Sequence, residues 1–400
     1  MLLSLFVYIG TALILFALGK HLEIRERQYW LRTHRMLSFW QWEIILSILI
    51  FGIIAGARYN TGVDHLSYLK IYEDLKQGIE DYRFKNDHFE LGYVYITRFF
   101  SLTLNAHYFY YFAFLAMMQI GFVYYALKDK KYLLPIVGAA IMMGPFFLSW
   151  MNGIRQIICC CCFIFLVNYI VERKPIHYVV WVLICTLMHK SALLLLPFYF
   201  IYLVKLPENR VINLSILGIC IFVGLTPTWL KLLGDVEIIL SWIGYDERYG
   251  EGFNKYLTEK ALRTLNVGPR AIIILFSTIC SIWYYAKVKK YFKDDKFFEY
   301  CFILFFIGAC AYNLFVNTSH FFLRPIMYFD IFSLIVHSYT LLYLYKSRQL
   351  LMFCVFILLF FSYSIISVYV AVDRPSLVTE TNLYHFFFDY NPIYKYNILK

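Results

Sequence analysis

Residues 133–171 read LLPIVGAAIMMGPFFLSWMNGIRQIICCCCFIFLVNYIV. Two apolar runs, 133–150 and 154–171, flank the short break Met151-Asn152-Gly153, and Arg155 is the single charge in the stretch. As helices rising 1.5 Å per residue, each run covers about 27 Å, close to the roughly 30 Å of a bilayer's hydrocarbon core. The stretch therefore reads as two membrane-crossing helices joined by a polar turn. Strict alternation of apolar and polar residues, expected of the strands of a membrane barrel, is absent.

The rest of the chain repeats this texture. Its 400 residues are 61% hydrophobic, 21% aromatic and only 16% charged, whereas soluble domains run near 45–50% apolar and about 25% charged. This excludes a soluble enzyme, a disordered chain and a secreted disulfide scaffold. The ten cysteines, at 159–162, 185, 220, 280, 301, 310 and 354, all lie in apolar runs. They form no repeated Cys-x-x-Cys pair, and the block Cys159–Cys162 wraps one helical turn, which suits close helix packing better than metal binding. Met1 enters an apolar run directly, without the basic stretch of a cleavable signal peptide.

The expected fold class is an all-α, polytopic membrane bundle. Spans are placed at about 2–19, 41–57, 107–127, 133–150, 154–171, 176–188, 191–204, 211–231, 270–286, 297–317, 320–343 and 349–371, twelve in all. The formal charge of +11 comes from cations clustered between runs: Lys20/Arg25/Arg27/Arg32/Arg35, Lys128/Lys130/Lys131, Arg173/Lys174, Lys205/Arg210, Lys287/Lys289/Lys290/Lys293/Lys296 and Lys346/Arg348. Twelve crossings put every cluster on one side, the cytoplasmic one by the positive-inside rule, and both termini outside. The charge is thus a signal of orientation, not of nucleic acid. This holds only if residues 90–104, with Glu90 at one end and Arg98 in the middle, form an interfacial or re-entrant helix at the outer face. The runs 176–188 and 191–204 are short and suggest a deep hairpin. Residues 1–400 form one domain, with outer loops 58–106 and 232–269 and an outer tail 372–400.

Ionisable residues near the membrane gather at the outer ends of a few helices, where desolvation demands a partner or a function. In Arg58-Tyr-Asn-Thr-Gly-Val-Asp64-His-Leu-Ser-Tyr68, Asp64 and Tyr68 share a helix face; the alternative is Asp64 as a plain helix cap. Glu90 opens the 90–104 helix and is either a base or a cap. Asn152, Arg155 and Gln156 share one turn, where Asn152 can cap the helix beside the guanidinium, an arrangement suited to phosphate; the alternative is a tight turn with a snorkelling arginine. His189 and Lys190 separate two short runs, as base and anion ligand or as a structural pair. Arg324 and Tyr328 lie on one stripe, with Arg324 expected to meet an anionic ligand or Asp330.

Taken together, Arg58-Tyr-x-x-Gly-x-Asp64-x-x-x-Tyr68, Glu90-x-Gly, Asn152-Gly-Ile-Arg-Gln156 and His189-x-Ser-Ala-Leu resemble the EpsG family of polysaccharide-biosynthesis membrane proteins, regarded as Wzy-like polymerases. The motifs cover about residues 56–205, and the tail ending Asn-Pro-Ile-Tyr-Lys-Tyr is similar too. This chain departs from the family pattern at Val63 and His65, where Thr and Tyr are usual, and at Met151 and Met188, where Phe is usual. The resemblance implies a substrate of oligosaccharide repeat units on polyprenyl diphosphate, joined at the outer face of the bacterial cytoplasmic membrane in exopolysaccharide, capsule or O-antigen synthesis. It further implies membrane lipid as surroundings, and a chain-length regulator and a flippase of the same pathway as partners.

The residues fit this chemistry. Arg155 and Arg324, with Arg58 or Lys190, would steady the diphosphate leaving group. Asp64, Glu90 or His189 would take the proton of the attacking hydroxyl in an inverting displacement. Tyr68, Tyr93, Tyr95 and Trp150 could stack on sugars, and a belt of interfacial aromatics explains them equally well. No outer Asp-x-Asp pair and no nucleotide loop occurs, so a metal-independent glycosyltransferase without cofactor is expected. The rival readings are a polysaccharide flippase or transporter, and a membrane O-acyltransferase that decorates the glycan.

Overall fold

A computed structural model of the chain describes residues 1–79, 89–225, 268–293, 295–318, 320–376 and 378–389. In chain order the helices are α1 (Leu2–Thr33), α2 (Trp42–Ala57), α3 (His65–Lys76), α4 (Leu91–Arg98), α5 (Tyr108–Ala126), α6 (Leu134–Met143), α7 (Phe146–Trp150), α8 (Ile154–Val171) and α9 (Pro175–Thr186). A 3₁₀ helix, Lys190–Leu203, follows, then α10 (Arg210–Leu225), α11 (Pro269–Tyr291), α12 (Lys296–Phe315), α13 (His320–Asp330), α14 (Phe332–Lys346) and α15 (Leu350–Asp373). The expected outer loop 232–269 falls almost wholly outside the described residues, as do the end of the tail and the middle of the first outer loop.

The architecture is an all-α membrane protein. Among the described residues seven helices are long and apolar enough to cross a bilayer, with α13 and α14 acting as one span, and five shorter apolar helices accompany them. Over their described residues the stretches read as spans are helical, 133–150 as two helices, α6 and α7, parted at Gly144-Pro145, and 211–231 as far as Leu225. The segment 90–104 is α4 followed by one π-helical stretch, Phe99–Thr103, together about 20 Å long and too short to cross.

One stretch looks shorter in sequence than it is in space. Residues Lys190–Leu203 wind as a 3₁₀ helix containing Pro197. At about 2 Å per residue its 14 residues reach about 28 Å, where an α-helix of that length would reach about 21 Å. It lies against α9, and the Tyr178 hydroxyl donates to the Leu195 carbonyl at 2.6 Å.

The core is organised around α8. Fourteen of its 18 residues are buried, Cys159 to Cys162 completely, because α5, α9, the 3₁₀ helix, α12 and α13 surround it. A helix apolar on every face is one enclosed on every face. All ten cysteines are free thiols.

The basic clusters meet at one end of the bundle. Arg25 pairs with Glu43 at 2.6 Å, Lys131 with Glu26 at 2.6 Å, Lys130 with Asp295 at 3.5 Å, and Lys289 with Glu208 and Glu299 at 2.9 and 3.4 Å. Arg210 stacks on Trp283, Arg173 on Tyr202, and the rings of Tyr291 and Tyr343 touch. Helix directions then carry the polar turns at 58–68, 90, 151–156, 189–191 and 324 to the opposite end.

At that opposite end the chain's tail folds back as a strap. Strand β2 (His385–Phe386) pairs antiparallel with β1 (Arg58–Tyr59). The Tyr384 hydroxyl donates to Ile54 O at 2.7 Å, Thr61 Oγ1 to Leu383 O at 2.9 Å, and the Gly62 N–H to Thr381 O at 2.9 Å.

Candidate functional site

The site is built on the first turn of α8. Gly153, at φ +54°, turns the chain into the helix, and its N–H donates to Asp64 Oδ2 at 2.8 Å. Asp64 therefore caps α8 across the fold and makes no side-chain cap to its own helix, α3. The role expected of Asn152 is taken over: its Oδ1 is buried with no hydrogen-bond partner among the described residues. A carboxylate is the better cap here because it also meets the positive end of the helix dipole. Gly62 makes the approach possible. It sits at φ +92°, and a Cβ there would lie 2.9 Å from Met151 Cβ and 3.1 Å from Asn152 Oδ1, so only glycine fits.

Arg155, the second residue of α8, forms an ion pair with Glu90. Its guanidinium also lies over the rings of Phe89 and Tyr93, at 4.7 and 5.0 Å, with Tyr68 beside it. Its Nε is buried with no hydrogen-bond partner among the described residues. Glu90 is almost completely buried, and both of its oxygens are engaged, Oε2 by Arg155 and Oε1 by the Lys190 N–H at 3.0 Å. It makes no cap to α4. Gly92 lets α4 press onto the end of α9, since a Cβ there would meet Leu187 O at 2.8 Å. Glu90 thus ties α4, α8 and the start of the 3₁₀ helix into one junction.

A relay extends from this junction. His189 Nδ1 lies 2.6 Å from Ser191 Oγ, which lies 2.9 Å from the Tyr328 hydroxyl of α13. Gln156 Nε2 donates to the Arg324 carbonyl at 2.7 Å, fixing α13 against α8. The side chains of Arg324 and Lys190 are exposed. Arg324 does not meet Asp330: the two are six residues apart, a rotation that puts them on different sides of α13, and Asp330 faces a cavity beside α11.

The structure therefore links Asp64, Tyr68, Glu90, Asn152, Arg155, Gln156, His189, Lys190, Arg324 and Tyr328 through neighbouring contacts. Arg58 stands apart under the tail strap. It is almost fully buried, donates to Thr61 O at 3.2 Å and to Ala55 O, and lies over the Phe112 ring. Next to it His65 is enclosed, with neither ring nitrogen bonded among the described residues. Burial first, and the charge of Arg58 second, hold its imidazole well below the ordinary range, and this departure from the family pattern is a ring tilted by 34° against that of Phe112, 4.8 Å away.

Sequence reasoning missed Phe89 as the platform under Arg155, and it missed the strap, whose Thr381 and Leu383 hold the Gly62 turn. An aromatic residue before Glu90 is a signal that could have been weighed. For Thr381 no local signal exists.

What this arrangement offers is an enclosed guanidinium, two exposed cations at its edge, a carboxylate whose Oδ1 meets no partner among the described residues, and an imidazole relay. No group of three metal-ligating side chains occurs among the described residues. No curated protein and no solved structure matches the chain. Residues 42–391 match the EpsG family, a range that holds every residue of the site and most of the chain, and the protein belongs to that family.

Proposed function

We infer from its family membership that the protein is an exopolysaccharide-related polymerase, an enzyme of polysaccharide biosynthesis in a membrane. We propose that the protein joins polyprenyl-diphosphate-linked oligosaccharide repeat units at the outer face of the cytoplasmic membrane, by glycosyl transfer with inversion. The observation that carries this reading is the junction in which Arg155, Glu90 and Asp64 converge on the first turn of α8.

In this mechanism the acceptor sugar's hydroxyl gives its proton to Asp64 Oδ1 as its oxygen bonds to the anomeric carbon of the donor. The bond from that carbon to the diphosphate breaks, and the diphosphate leaves as the anion. Arg155, with Lys190 and Arg324 at its edge, stabilises the charge that grows on the leaving oxygen. Glu90 is a positioning residue, since both its oxygens are already committed. The relay His189–Ser191–Tyr328 orients a hydroxyl-rich substrate. Asp64 is preferred as the base over Glu90 and His189 because it combines an open oxygen with a fixed position.

The test is a deletion strain complemented with wild type or with Arg155→Ala at equal membrane abundance. Loss of long polymer, with lipid-linked single repeats accumulating at the outer face, is the expected phenotype of the variant. Accumulation at the inner face would instead mark a flippase. Normal-length polymer lacking only acyl groups would mark an acyltransferase.

A further inference from the structure

A cavity of about 570 Å³ lies between α7, α8, α10 and the helices α11 to α15. Its wall is mainly aliphatic and aromatic, and it is separate from the Glu90–Arg155 junction, although both use the start of α8: Trp150 and Ile157 line the cavity. Its place along the bundle follows from α11. The lining residues there run from Ala271 to Thr278, the half of the helix remote from its basic end at Lys287–Lys290. The cavity therefore occupies the half of the bundle that ends in the site.

One arginine adjoins its wall. Arg270 immediately precedes Ala271 and lies near Tyr363, another lining residue. Deeper in, Asp330 lines the same wall about 9 Å below Arg324 along the helix. It is enclosed by protein, and no ion pair or hydrogen bond engages its carboxyl among the described residues. Such a group inside a membrane bundle is costly to keep without a function.

We propose that this cavity seats the hydrocarbon chain of a lipid diphosphate, with Arg270 holding the anionic head at the mouth. This rests on the polymerase reading, in which donor and acceptor are both carried on lipid and two seats are needed. Arg155, Lys190 and Arg324 serve the head at the junction, so Arg270 supplies the cation for a second head. An apolar cavity of this volume has the size of a small-molecule site and takes the first part of a long chain, not a protein segment. Asp330 sets the depth: a carboxyl below the rim offers a diphosphate no countercharge, so the head stays at the mouth while the chain passes inside.

The test uses purified full-length protein in nanodiscs and a sugar-free polyprenyl diphosphate carrying a diazirine on its chain near the head. After irradiation, labelled peptides are located by mass spectrometry. The expected labels fall on 271–278 and 327–337, and Arg270→Glu reduces them at least roughly fivefold, a change of about 1 kcal/mol. Thr278→Trp, which fills the cavity, abolishes them. Should that variant fail to fold, the wild-type labels and Arg270→Glu decide alone. Labels confined to the lipid-facing surface of α15, or unchanged by Arg270→Glu, overturn the proposal. Labels erased when the discs are made of anionic phospholipid would also overturn it, since the seat would then take ordinary lipid. Because the probe carries no sugar, the result is independent of polymerisation: cavity labelling without polymer formation would sink the polymerase reading alone, and polymer formation without cavity labelling would sink this one.

Discussion

Two buried ion pairs mark the two ends of the bundle, and they are finished differently. At the basic end Lys131 is buried, and its ammonium donates to Glu26 at 2.6 Å and to the Leu37 carbonyl at 2.8 Å. The pair staples the end of α1 to the loop before α6. At the opposite end Arg155 meets Glu90, yet its Nε and the neighbouring Asn152 Oδ1 are buried without hydrogen-bond partners among the described residues. Asp64 keeps one oxygen open beside them. A cation with its bonds filled holds loops together; a cation with donors to spare, next to an open carboxylate, is arranged to receive something.

Four substitutions sharpen or break that contrast. The largest effect is expected from Asp64→Asn. The amide oxygen can still accept from Gly153, so stability should change by no more than about 1 kcal/mol. Polymer formation should fall about 10²- to 10⁴-fold, the usual worth of a general base. Rate per folded molecule and thermal unfolding, measured on one preparation, separate the two.

Lys131→Met should behave in the opposite sense. It strands Glu26 beside an apolar side chain and should cost about 3–5 kcal/mol of stability, lowering the unfolding midpoint, while the rate per folded molecule is unchanged. A rate loss equal to that of Asp64→Asn would erase the distinction between the two ends.

Arg155→Lys keeps the charge but loses the planar fork that meets Glu90 and stacks on Phe89 and Tyr93. An activity loss of about tenfold to a hundredfold is expected, the worth of one or two charge-assisted hydrogen bonds. Steady-state rates across a range of lipid-linked substrate concentrations check this.

The smallest change is expected from Tyr384→Phe. It removes only the 2.7 Å bond to Ile54 O and should cost about 1 kcal/mol with activity almost intact. A large activity loss there would mean that the strap takes part in the site beyond holding the Gly62 turn.

The contrast also explains which features could be read from the residues alone. Helix positions were readable because the thickness of a bilayer sets the length of every apolar run, and because cations between runs mark one face. That the polar turns at Asp64, Glu90, Asn152 and His189 share an end follows from the same arithmetic. Their pairings do not follow, because each joins residues far apart in the chain: Glu90 with Arg155, Asp64 with Gly153, Ser191 with Tyr328. Local rules assigned Asp64, Glu90 and Asn152 to capping nearby helices, and a tertiary partner replaced each cap. The 3₁₀ winding of Lys190–Leu203 was hidden because an apolar run does not distinguish 3.0 from 3.6 residues per turn. Arg324 and Asp330 looked like partners by proximity in sequence, but helical rotation sends one to the junction and the other to the cavity.

The most direct measurement is the product ladder made by purified protein in nanodiscs from its own host's polyprenyl-diphosphate-linked repeat unit, comparing wild type, Asp64→Asn and Lys131→Met. The expected result is a ladder from wild type and from folded Lys131→Met, and none from equally folded Asp64→Asn. A full ladder from Asp64→Asn, or none from folded wild type, would contradict a polymerase site on the first turn of α8.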